Sequence, residues 1–385
     1  MNFLNLSQDE IDRSGAHWTT HEIAQQPQVW LKAQQSMARD ASATREFLDP
    51  LLRRSELQIV LTGAGTSACI GECLAPALTR QLGMRVQAIA TTDLVAAPDT
   101  TLATTAPVLL VSFARSGNSP ESVAALELAE QFCADCHHLI ITCNREGALY
   151  RRGKSSRNTH VVLLPDETND RGFAMTSSFS TMMLAAALAF ELIAPAATAT
   201  LARWASQVLA EFPAVTHLAT AGFERVVYLG SRELKGLARE AALKMLELTD
   251  GRIVAVSDTP LGFRHGPKTI IDAKTLVVMF LCNNAYTRAY ELDVLNELRR
   301  DGIAARVIAL TAGNAAPEGS AEEVRIPDAA AAADLDLCFP YAVFAQSLAL
   351  QQSQALGFKS DAPNARGVVN RVVQGVSIYP WDPHG

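Results

Sequence analysis

The sequence has no surplus of positive charge: 33 Lys and Arg stand against 40 Asp and Glu, a formal net charge of −7. It therefore has no overall basic field to draw in phosphate backbones or anionic lipid, and no nucleic-acid partner is expected. Long apolar runs are lacking as well: residues 182–190 form one, but it stops at Glu191, far short of a membrane span. The opening MNFLNLSQDEIDRSG has neither the basic n-region nor the apolar h-region of a secretory signal. A cytoplasmic chain with no membrane partner is expected. Cysteine is sparse and odd in number, seven over 385 residues, which fits reduced, buried thiols better than a disulfide framework. Core-forming residues are plentiful, since 49% of the 385 residues are hydrophobic. That fraction excludes disorder and allows two or three domains.

One cysteine pair needs weighing. Cys133-Ala-Asp-Cys136-His137 matches the spacing of c-type haem attachment and, with His138, half a zinc site. It falls where a helix hands over to an apolar strand, no second pair completes a tetrahedral site, and haem attachment would require export. The match is read as accidental, and no metal or other cofactor is expected.

Residues 1–50 read as helical, with Thr19 and Glu22 spaced as a capping box ahead of a helix over 23–37. Short β-branched apolar runs then alternate with helical stretches, at 58–61, 86–90, 108–113, 139–142 and 161–164. A long apolar helix over 175–193 and another through Trp204 and Leu209 lead to Pro213. After it the pattern restarts, with strands at 226–229, 253–256, 276–281, 306–310 and 323–326 and a closing helix over 335–356. The fold class is α/β, two tandem doubly wound, flavodoxin-like units, each a five-stranded parallel sheet flanked by helices. The expected division is an N-terminal helical extension over 1–45, a first unit over 46–212, a second over 213–360 and an extended tail over 361–385.

Ligands of open parallel sheets bind at the carboxyl ends of the strands, so the loops there carry the functional signal. Gly63-Ala64-Gly65-Thr66-Ser67-Ala68 matches GxGxxA, with Asp93 downstream at the distance of a ribose contact. It equally suits a bare strand-to-helix turn. The loop after the third strand gathers Ser112, Ser116 and Ser119 at a helix start, with Pro120 at the first helical position. Free amides, the helix dipole and two serine hydroxyls there make an anion cradle sized for one phosphate, and no Walker lysine follows. A capped helix without ligand is the plainer alternative. In the cluster Arg171 to Ser178, the hydroxyls of Thr176, Ser177 and Ser178 can bind a sugar or merely cap a helix. Acid–base candidates lie further on. Glu240, Lys244 and Glu247 share one helical face, which for charges at this spacing is ordinarily a solvated one. His265 sits between turn formers with Arg264 and Lys268 beside it, as a proton-shuttling loop histidine would.

Taken together, GAGTS at 63–67, SFARSGNSPES at 112–122, GFAMTSS at 172–178, ALKMLELT at 242–249, FRHGPK at 263–268 and the tail VVNRVVQGV at 368–376 stand in the order and spacing of tandem SIS-domain sugar isomerases. The chain resembles the AgaS-type galactosamine-6-phosphate deaminase/isomerases, also known as tagatose-6-phosphate ketose/aldose isomerases. It is more distantly similar to the isomerase half of glucosamine-6-phosphate synthase. That resemblance implies phosphate binding by Ser67, Arg115 through its backbone, Ser116 and Ser119, and sugar binding by Thr176. It also implies Glu247 as the base at C1 and C2, and His265 assisting ring opening from a neighbouring subunit of a homodimer.

Two departures limit the transfer. The synthase's Schiff-base lysine falls at Gln374 here, and Asn2 stands where a glutaminase nucleophile would follow Met1. Free ammonia, not glutamine nitrogen, is therefore expected to be released or taken up. The function implied is conversion of an amino-sugar 6-phosphate to ketohexose 6-phosphate and ammonia. The alternatives are a plain ketose/aldose isomerase and a non-catalytic sugar-phosphate sensor.

Overall fold

The computed structural model describes residues 4, 8–102, 105–312, 323–373 and 375–382, with backbone alone at 212–214 and 216; Asn2 and Gln374 lie outside the described residues. All ten expected strands form. The first five are β1 (Gln58–Thr62), β2 (Val86–Ala88), β3 (Val108–Ala114), β4 (Cys136–Thr142) and β5 (Thr159–Leu163). They pair in parallel in the order β2-β1-β3-β4-β5. The second five are β6 (Arg225–Leu229), β7 (Val254–Asp258), β8 (Thr275–Phe280), β9 (Arg306–Ala312) and β10 (Glu323–Ile326), in the order β10-β9-β8-β6-β7. They too are all parallel. In its own chain order the second sheet repeats the first, and each reverses direction beside its first strand.

The N-terminal helices are α1 (Gln8–Ser14), α2 (His17–Ala24), α3 (Gln26–Arg39) and α4 (Ala41–Leu52). Thr19 and Glu22 fall inside α2, so the expected capping box is not one. Their side chains bond distant segments instead, Thr19 to Asp361 and Glu22 to the amides of Arg171 and Gly172. These helices pack onto the body: Trp30 is fully buried, its indole N–H donating to Ser180 Oγ at 2.9 Å and its ring edge-on to Phe339.

Around the first sheet lie α5 (Thr66–Leu82), α6 (Thr91–Ala96), α7 (Pro98–Thr101), α8 (Pro120–Phe132) and α9 (Ala148–Ser155). Next come α10 (Ser177–Ala189), α11 (Thr198–Ala210), α12 (Phe212–Ala219), α13 (Glu233–Leu248), α14 (Pro260–Phe263), α15 (Ala285–Asp301) and α16 (Asp334–Ala355). The main core lies between the sheets, where α13 packs against α5 on one side and α16 on the other. Helices α10 and α16 are buried on nearly every side and leave almost no solvent face. A further cluster covers the outer face of each sheet, around Leu110 and Ala125 in the first and Val277 and Leu295 in the second. Covering on both faces explains why the strands read as continuous apolar runs instead of alternating. The described residues after α16 form no helix or strand and cross the body, touching Asp250 through Asn364, Asp170 through Arg371 and Phe132 through Trp381.

Candidate active site

The order of the first sheet reverses between β1 and β3, and the loops leaving those strands open onto a common crevice. The turn after β1 is tight: a Cβ on Gly63 would stand 2.6 Å from Ser67 backbone, and Gly65 has φ +56°. Only glycine allows α5 to start at Thr66 directly over the strand end. The loop after β3 is braced by its neighbour, with Asn144 Nδ2 donating to Ser116 O at 2.7 Å and Ala148 N to Asn118 Oδ1 at 2.9 Å. Ser119 precedes Pro120 at the N-terminus of α8, yet its hydroxyl makes no bond to the helix it caps. The hydroxyl is left facing the crevice together with the first amides of α8.

The two loops line a cavity of about 180 Å³. Its walls include Ser67, Arg115, Ser116 and Ser119, Phe173 and Met175 ahead of α10, Glu247 near the end of α13, and residues 369–373 of the tail. Five of the eight candidate residues therefore meet in one cavity, with Ser67 on α5 after β1 and Glu247 on α13 after β6. The Arg115 guanidinium turns toward the tail. Its Nη2 donates to Arg371 O at 2.6 Å, while Nε and Nη1 are buried without a partner. Burial, with the nearby Arg371 charge, lowers its pKa.

The charged face of α13 is not the solvated face its spacing ordinarily gives. Glu240 is 1% exposed and Lys244 is fully buried between α5 and α16. The Lys244 ammonium stands 3.5 Å from Glu240 Oε1 and bonds Glu247 Oε2, whose side chain is 26% exposed at the cavity. Burial opposes the lysine's charge, but the Glu240 and Glu247 carboxylates outweigh it and hold its pKa above the ordinary value. Burial pushes Glu240 the other way, up to about 8. Of the two carboxylates it is Glu247 that the ammonium hydrogen-bonds, Glu240 standing farther off. A carboxylate at a cavity wall, backed by an ammonium and facing a hydroxyl-lined anion cradle, is equipped to move a proton on a bound phosphosugar.

Neither Thr176 nor Ser177 reaches the cavity surface. Asp170 gathers this stretch: Ser177 Oγ donates to its Oδ1 at 2.5 Å, and Thr176 N, Ser178 N and Ser178 Oγ donate to its Oδ2. Ser177 Oγ also accepts from Gln25 Nε2. The Thr176 hydroxyl is buried without a partner, one residue behind Met175. His265 is exposed and is not among the residues that line this cavity. Its flanking cations are locked onto α15, Arg264 to Asp293 at 2.9 Å and Lys268 to Asp301 at 2.5 Å. The sequence reading missed Asp170, Phe173, Met175 and Arg371. Asp170 bonds groups six to eight positions downstream, beyond any local turn pattern, and Arg371 arrives from the far end of the chain.

Among the described residues no group of three or more His, Cys, Asp or Glu side chains could hold a metal, and no helix is long and apolar enough to cross a membrane. All seven cysteines are free and buried.

The SIS domain family model matches residues 51–192 and 218–353. D-galactosamine-6-phosphate deaminase AgaS of Escherichia coli is 47% identical over 368 residues, covering 94% of this chain and 96% of that one. The protein of the same name from Shewanella sp. (strain ANA-3) is 42% identical over 384 residues, covering 98% and 96%. Among solved structures, tagatose-6-phosphate ketose/aldose isomerase from Escherichia coli superposes with a TM-score of 0.88 at 44% identity, covering 94% of this chain and 96% of that one.

Proposed function

The chain belongs to the SIS-domain family, and from that membership we propose that it is a galactosamine-6-phosphate deaminase/isomerase. In the division of labour proposed, the unit over 46–212 holds the phosphosugar and the unit over 213–360 supplies the proton chemistry. The observation that carries this is the meeting of Ser67, Ser116 and Ser119 with Glu247 in one cavity, with Lys244 buried behind the carboxylate.

The substrate's phosphate docks on those hydroxyls and the α8 amides, a remote contact that fixes C1 and C2 against Glu247. After ring opening, Glu247 removes the C2 proton and returns it to C1 through an enolamine. The C2 imine so formed adds water and loses ammonia, leaving ketohexose 6-phosphate, so one water is consumed for each ammonia released. We assign ring opening to His265 of a second copy, which makes the enzyme a homodimer with composite sites; that His265 is exposed and does not line its own chain's cavity supports this. Seven free thiols suit a reducing compartment, and we place the protein in the cytoplasm.

A second reading, isomerisation without deamination, has the name of the similar solved structure in its favour. One experiment separates the two. The protein is incubated with galactosamine 6-phosphate and with glucosamine 6-phosphate, and ammonia and ketose are assayed separately. Ammonia and ketose in equal amounts from the galacto substrate are expected. Tagatose 6-phosphate interconverted with its aldose, without ammonia from either amino sugar, would replace deamination by isomerisation. Binding without turnover would leave a sensor.

A further inference from the structure

The Thr19 and Glu22 pair ties three distant segments together. At the start of α2, Trp18 N and Thr19 N donate to Asp361 of the tail at 2.9 and 2.8 Å, and Thr19 Oγ1 adds a third bond at 2.8 Å. One turn on, Glu22 is 3% exposed and accepts from Arg171 N at 2.5 Å and Gly172 N at 3.2 Å. The Arg171 guanidinium lies 4.6 Å from the centre of the Trp18 ring. The backbone at Gly172 approaches α2 so closely that a Cβ there would stand 2.9 Å from Glu22 Oε2 and 3.0 Å from Thr19 Oγ1. Directly after Gly172 come Phe173 and Met175, both in the cavity wall.

A carboxyl group this deeply buried with no cation bonded to it is costly. Burial, reinforced by the charge of Asp170, raises its pKa to about 8. Packing alone would be met at lower cost by an apolar side chain. What the carboxyl does that an apolar residue could not is accept the two amides of the turn that leads into the cavity wall.

We propose that Glu22 is a positioning residue of the phosphosugar site: through the amides of Arg171 and Gly172 it sets where Phe173 and Met175 stand, and so governs substrate affinity and not the chemical step. The inference rests on the cavity being the phosphosugar site. It makes the N-terminal helices part of the site, although none of their residues lines the cavity.

The test is Glu22→Gln, which keeps the shape but turns one acceptor toward the amides into a donor. Two quantities are read on the full chain: hydrogen exchange of the 171–172 amides without ligand, and steady-state kinetics with the phosphosugar. Exchange is expected to quicken at least tenfold and KM to rise about tenfold, on the scale of one lost hydrogen bond, while kcat stays within about twofold. If the chain binds without turnover, the dissociation constant replaces KM. Should Glu22→Gln fail to fold, Gly172→Ala displaces the same turn from the other side and must give the same split. Faster exchange with KM unchanged, or kcat falling as much as KM rises, overturns the inference and leaves the functional reading standing. A wild-type chain that neither binds nor converts the phosphosugar sinks the functional reading and this inference with it, even though the exchange result would still show the turn held by Glu22.

Discussion

The two sheets share one topology but treat their switch points differently. At the first, between β1 and β3, the Ser67, Ser116 and Ser119 hydroxyls face a cavity. At the second, between β6 and β8, the chain supplies its own anion. Asp334, the first residue of α16, accepts from Asn283 N at 2.6 Å and Asn284 N at 3.2 Å and pairs with Arg232 Nε at 3.1 Å. Glu291 accepts Cys282 N beside it at 2.8 Å. The second cradle is closed by carboxylates in the position where the first is open, and from the other end of α13 Glu247 reaches the first half's cavity. In the function proposed above, a repeated fold is divided into a binding half and a reacting half, with α13 packed between α5 and α16 as the link.

The largest effect should come from breaking that link. Glu247→Gln keeps the shape but cannot take a proton, and kcat should fall by about 10²–10⁴ with KM nearly unchanged; near-normal kcat would remove Glu247 from the mechanism. Next is the composite site. Co-expressed Glu247→Gln and His265→Ala chains, each inactive alone, should recover about a quarter of wild-type activity, because half of randomly assembled dimers are mixed and each of those has one intact site. No recovery would place both residues in one chain's site. Then the cradles are set against each other. Ser116→Ala and Ser119→Ala should each raise KM by the equivalent of about 1.5–3 kcal/mol. Asp334→Ala should leave KM within about twofold and cost about 3 kcal/mol of stability in thermal or denaturant unfolding, through two orphaned amides and an Arg232 left with Glu233 as its one ion-pair partner among the described residues. A KM effect from Asp334, or none from the serines, would reverse the roles assigned to the two halves.

The architecture was legible because buried parallel strands write themselves as apolar runs, and all ten appear where expected. The misjudged edge is instructive. The fourth strand begins at Cys136, where it pairs with Val108; the apolar pattern places its start at residue 139 because His137 and His138 interrupt the run, even though His138 is fully buried in the sheet. The site was legible where ligand-facing groups lie within one loop, as at Ser116 and Ser119. It was not where a pattern has the same spacing in two environments. Thr19 and Glu22 sit three apart whether they cap their own helix or bond segments far along the chain. Glu240, Lys244 and Glu247 share a helical face whether that face meets water or, as here, the core. Ser177 shows the converse: a hydroxyl at a helix start reads as a ligand or a cap, and Asp170 had already claimed it.

The smallest effect gives the finest test of the comparison. If Asp334 stands in for the anion the first cradle is built to receive, then removing it should turn the second cradle into an anion site, since Asn283 N, Asn284 N and Arg232 would converge on the space left at the start of the 17-residue helix α15. Inorganic phosphate at about ten times its dissociation constant stabilises the folded state by about 1.4 kcal/mol per site. Wild type gains this from the first cradle alone, and Asp334→Ala from both. The variant should therefore gain about 2 °C more in Tm than wild type over a phosphate titration, with sodium chloride of equal ionic strength as the control. An equal gain in the two proteins would mean that Asp334 only ties α16 to the loop after β8. The second switch point would then have no latent capacity for an anion, and the likeness between the halves would end at their topology.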